Sequence, residues 1–168
     1  MNPQAILRKV LKESEEGLLL AAEAVVNRLG EGGEAGAEEE KQKRRRQIQQ
    51  AISVAQDTES LEVFYAYLFY QASRSPVWRA LAKPTYETLQ NQLHSAKEIA
   101  EHEGLWNQLA DPKMRERWGL PTQAGFQMEL VRRFCGYLHW AYSIWLDRDL
   151  RQIYLRPAAG GEEETSDV

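Results

Sequence analysis

The chain has 168 residues, 43% of them hydrophobic and 27% charged, with one cysteine and a formal net charge of −4. That length and composition suit a single domain with tails, and a lone cysteine excludes an internal disulfide framework. No apolar run reaches the roughly eighteen residues of a membrane span; the segment GLLLAAEAVV (17–26) follows acidic rather than basic residues and contains Glu23, so it does not read as a signal peptide, and a cytoplasmic location is expected.

The predicted elements are helical throughout, and the fold class is all-α: a bundle of about five to six helices with an acidic linker and tail. Asn2 and Pro3 supply a cap and a first helical position for an N-terminal helix over residues 1–30, with Ile6, Val10, Leu18, Ala22, Val25 and Leu29 on one face and Gly30 as its stop. The stretch EGGEAGAEEE (31–40) holds five acids and almost nothing to bury, so it reads as a flexible linker. A bundle domain then spans 41–156. Its first helix runs from about Glu38 to Asp57, with Ile48, Ala51, Ile52 and Ala55 inward.

The segment LEVFYAYLFYQASRSPVW (61–78) carries six rings. Leu61, Phe64, Tyr65, Leu68, Phe69 and Ala72 follow helical spacing and are expected in the core, which leaves Tyr67 and Tyr70 off that face, Tyr70 one turn before Arg74. Pro76 sets a boundary near Ser75, and Pro84 opens the next helix, to about Glu103. Pro112, Gly119 and Pro121 break the following stretch into short helical turns. A last helix, about Thr122 to Leu150, aligns Phe126, Leu130, Phe134, Tyr137, Leu138, Ala141 and Trp145. The tail 157–168 is acidic and is expected to be disordered.

Enzymatic signatures are missing: no glycine-rich phosphate loop, no G-x-S-x-G, no C-x-x-C. The residues three before His94, His102 and His139 are Asn91, Ile99 and Gly136, which excludes the Glu-x-x-His pairs of di-iron bundles. His94, Glu98 and His102 share a helix face at metal-ligand spacing, yet one helix rarely completes a coordination shell, so no metal or other cofactor is expected. Cys135, in an apolar helix, reads as a core residue rather than a nucleophile.

The basic residues carry more. Residues 41–160 hold 17 basic against 12 acidic side chains, a cationic body inside an acidic chain. KQKRRRQ (41–47) places Arg44, Arg45 and Arg46 near a helix start, where cations oppose the helix dipole unless an anion compensates. Arg74, Arg79 and Lys83 follow the ring-rich helix, and Arg132 and Arg133 sit on the last one. Arginine forks suit phosphates, and a neighbouring Tyr70 suits stacking of bases. The plainer reading of such runs is a solvated surface.

Three segments in order, RRRQIQQAISVAQ, YQASR and FCGYLHWAYSIW, resemble the small helical subunit of type III CRISPR RNA-guided interference complexes. Gln47 and Ile48 match its first segment, Tyr70, Ala72 and Arg74 its second, and Phe134 and Tyr137 its third; Arg46, Gln49 and Ser73 stand where the family carries serine, arginine and glycine. The resemblance implies a non-catalytic subunit that stacks along a filament with other subunits of the effector complex. Its basic face would contact guide and target RNA, with Arg44, Arg45, Arg46, Tyr70, Arg74, Lys83, Arg132 and Arg133 as the RNA-binding set. The alternative from another class is a helical adaptor or oligomerisation module without nucleic acid, with Trp78, Trp106 and Trp118 exposed as docking anchors.

Overall fold

A computed structural model of the protein describes residues 1–31 and 38–154. Among these residues the chain forms eight helices and no strand: α1 (Pro3–Glu31), α2 (Glu38–Asp57), α3 (Leu61–Arg74), α4 (Pro76–His102), α5 (Leu105–Ala110), α6 (Pro112–Trp118), α7 (Gln123–Leu146) and α8 (Arg148–Tyr154). The all-α fold is as expected. The count is higher because the short helical turns around residues 105–118 form two separate helices, and the last helix, expected to about Leu150, ends at Leu146 with α8 following from Arg148. The acidic tail 157–168 and residues 32–37 of the expected linker lie outside the described residues.

Local chemistry explains the helix starts. The Asn2 side chain accepts hydrogen bonds from the amides of Gln4 and Ala5 at 2.8 and 3.2 Å, capping α1 ahead of Pro3. Ser60 caps α3 by accepting from Val63 N, and Thr122 caps α7 by accepting from Gly125 N. The α6–α7 break depends on Gly119, whose φ of 62° lies in the left-handed region that glycine enters at no steric cost.

α2 starts at Glu38, as its helical reading expects, so Glu38, Glu39 and Glu40 at the end of the acidic stretch form its first turn. Their carboxylates sit at the positive end of the helix dipole, so the arginines behind them carry none of the strain that an uncompensated basic start would impose. Pro84, read as a helix start, lies inside α4. The helix begins at Pro76 instead, and Trp78, Leu81 and Ala82, ahead of Pro84, bury against its neighbours. Ala80, whose carbonyl loses the Pro84 N–H as partner, is exposed to solvent, which limits the cost of that missing bond.

Polar contacts fix the helix directions. Lys9 meets Glu103 and Arg28 meets Glu87, so α1 and α4 are antiparallel. Gln4 donates to the carbonyls of Trp118 and Gly119 just ahead of α7, and Glu15 meets Arg133, so α1 and α7 run parallel. Tyr142 donates to Lys41 O and Arg132 reaches Ala55 O, so α2 is antiparallel to α7. α3 and α4 form a hairpin along the edge.

One core joins these helices. Val10, Ala22 and Val25 of α1 are fully buried in the same cluster as Ile48, Phe64, Leu89, Phe126 and Phe134. Each large side chain so buried contributes about 1.5–3 kcal/mol. The N-terminal helix is therefore part of the bundle's centre, although its sequence is separated from the rest by the acidic stretch.

Candidate nucleic-acid interface

α3 lies at the bundle edge and buries only a narrow stripe, Phe64, Leu68 and Ala72. Tyr65 is half-buried with its ring edge-on to Tyr86 at 4.8 Å, and burial pushes its phenol above the ordinary value. Tyr67, expected off the core, is half-buried edge-on against Trp78 at 5.6 Å. Phe69, expected in the core, is 46% exposed. At about 100° per residue it points roughly 140° away from Phe64, outside so narrow a stripe. Its ring stands against Tyr86 at 5.0 Å and leaves the other side open.

Tyr70 is 58% exposed. One turn on, the Arg74 guanidinium lies 5.5 Å from the Tyr70 ring centroid and donates to its hydroxyl at 3.2 Å. Arg74 makes no ion pair among the described residues, so its charge is held in place by a ring and remains available to an anion. Beside this pair Phe69 and Ala72 of α3 face Arg79, Ala82, Lys83 and Tyr86 of α4 across an apolar groove of about 490 Å³. Arg79 and Lys83, one turn apart, are exposed along its rim.

The other expected RNA-binding residues divide. Arg45 and Arg46 are exposed and unpaired among the described residues. Because α4 runs opposite to α1, and Arg44 donates to Leu29 O at 3.2 Å, the first half of α2 and the start of α4 both lie towards the end where α1 finishes. Arg44 itself is committed to that carbonyl, where it closes the C-terminus of α1; its Nε is buried without a partner among the described residues.

Arg132 and Arg133 do not belong to an open cationic surface. Arg132 donates to Ala55 O at 2.9 Å and Thr58 O at 3.1 Å, and meets Glu59 at 2.6 Å. It thus closes the C-terminus of α2. Arg133 is gripped by Glu15 at 2.5 Å and Glu129 at 3.0 Å. Two guanidiniums already neutralised have little left for a phosphate.

The indoles also differ from expectation. Trp78 is buried, and Trp106 and Trp118 are half-buried under Lys97 and Arg117. Trp140, which the helical stripe left unremarked, is the exposed one at 61%, with Tyr137 at 5.5 Å.

Chemistry of other kinds finds little footing. His94 Nε2 lies 3.1 Å from Glu98 on an exposed face, and no three histidine, cysteine or acidic side chains are grouped to hold a metal among the described residues. Burial pushes the Cys135 thiol up to about 12, which leaves it protonated at neutral pH and without nucleophilic character. No helix among the described residues is long and apolar enough to cross a membrane. Comparison of the chain with protein-family models, with curated proteins and with solved structures finds no match.

Proposed function

We propose that the protein is a non-catalytic helical subunit of a CRISPR ribonucleoprotein, cytoplasmic, working beside other effector subunits and contacting guide and target RNA along the backbone. One observation carries this reading: the exposed Tyr70–Arg74 pair beside an apolar groove rimmed by Arg79 and Lys83. Phosphates would meet the three cations, while the open faces of Tyr70 and Phe69 would take bases without regard to identity. Arg45 and Arg46 extend the field at the same end of the bundle. Sequence would be read by base pairing between guide and target rather than by this chain.

Fluorescence anisotropy with two single-stranded RNAs of equal length and unrelated sequence tests the reading. Arg74→Ala combined with Lys83→Ala is expected to weaken both equally and to reduce the salt slope of log K by about 1.4, or roughly 0.7 per lost phosphate contact. Loss confined to one sequence, or an unchanged slope, overturns it. The adaptor reading is favoured by a different observation, the exposed Trp140; it predicts no RNA binding by the native chain and loss of a protein partner in Trp140→Ala.

A further inference from the structure

Away from the cationic corner, α1, α7 and α8 enclose a cleft of about 600 Å³. Its walls combine apolar surface from Leu20, Tyr137, Ile153 and Tyr154 with the carboxylates of Glu16 and Glu23. Among the described residues no lysine or arginine lines it. Glu15, also on the wall, is neutralised by Arg133, but Glu16 and Glu23 make no ion pair among the described residues.

α8 is hard to explain by the described residues alone. It is seven residues long and buries none of them, and Ile153 is 84% exposed. Arg151 over the Trp145 ring at 5.3 Å ties it to α7, while Leu150, Ile153 and Tyr154 turn outward. So short a helix is marginal in water without a face to bury. Its apolar side chains and those of the cleft need a cover.

Charge decides what can provide it. RNA is repelled by the unpaired carboxylates. So is the chain's own acidic segment GEEETSDV, which begins seven residues beyond Tyr154. We infer that the cleft docks a basic amphipathic helix of a partner protein, one that brings an apolar side chain against Leu20 and Ile153 and cations to Glu16 and Glu23. Those glutamates stand seven positions apart, about 10.5 Å along the axis. Lysines or arginines at i and i+7, with an apolar residue between them, match that spacing, as in other helix-in-groove interfaces.

The probe is a labelled leucine/lysine helical peptide with lysines seven positions apart, titrated into the full chain by anisotropy; its control carries glutamate at the lysine positions. Binding of the lysine peptide is expected to fall by about tenfold or more in Glu16→Lys plus Glu23→Lys, and also in Ile153→Ser, whose exposed side chain leaves folding untouched. Both variants should keep RNA binding, so this test and that of the RNA reading fail independently. Equal binding of the glutamate peptide, or insensitivity to charge reversal, overturns the proposal. So does sedimentation showing that the native chain self-associates through this cleft and comes apart in the charge-reversed variant, since the occupant is then a second copy.

Discussion

Replacing Arg132 by alanine separates a structural arginine from a ligand-binding one. The side chain, only 25% exposed, donates from Nε and Nη2 to the carbonyls of Ala55 and Thr58, the unsatisfied groups at the C-terminal end of α2. Hydrogen bonds to a charged group contribute about 1.5–3 kcal/mol when well buried. Here solvent reaches the site and discounts them. The bond to Glu59, whose carboxylate is largely exposed, adds well under about 1 kcal/mol. A net loss of about 2 kcal/mol follows, which for a chain of this size lowers Tm by roughly 4–8 °C. Arg132→Lys keeps the charge but cannot fork across two carbonyls, so it should lose about half as much. Urea titration followed by far-ultraviolet circular dichroism gives the stability, and RNA anisotropy on the folded protein gives the binding. Arg132→Ala with native stability and abolished RNA binding would refute the assignment.

Phe64→Ala, which opens a cavity under α3, should cost about 3–5 kcal/mol, against less than about 1 for the half-exposed Phe69→Ala, and the reverse order in urea titration would contradict the burial pattern. Cys135, with its thiol held near 12, should resist alkylation in the native protein at mildly alkaline pH and react on unfolding; native labelling at the unfolded rate would refute its burial. The Lys9–Glu103 pair sets a pH window: Lys9 holds the Glu103 carboxyl below its ordinary value, so this contribution is present above the unfolded carboxylate range and lost as pH falls through the lowered one. Glu103 likewise raises Lys9 above 10.5, and that contribution is present below this value and lost as pH rises through the raised one. The Tm of Glu103→Gln should therefore sit below native at neutral pH and converge with it in acid; a constant offset would sink this account.

Helical character was legible because apolar spacing over long segments is a strong signal, and Val10, Val25, Phe64, Phe134 and Leu138 are buried where periodicity places them. How wide a stripe each helix buries was not. Phe69 continued the pattern of Phe64 and Leu68, but α3 lies at an edge and has too few neighbours to cover it. Pro84 misled because a proline permits a helix start without requiring one, and burial of Trp78 and Leu81 outweighs one missing hydrogen bond.

The site was legible in part. Tyr70 and Arg74 are partners within one turn, and spacing alone places them together. Glu129 stands three and four residues before Arg132 and Arg133, so part of their neutralisation was local and visible in the sequence. The carboxylates of Glu15 and Glu59 come from 118 and 73 residues away, and only the fold brings them to α7.

Photo-crosslinking of thiouridine-substituted RNA, with the adducts mapped by mass spectrometry, puts the RNA reading to its most direct test. Adducts on the stretch from Phe69 to Lys83, joined by the first half of α2, are the predicted result. Adducts concentrated around Arg132 and Arg133 on α7, or in the acidic cleft by α8, would contradict it.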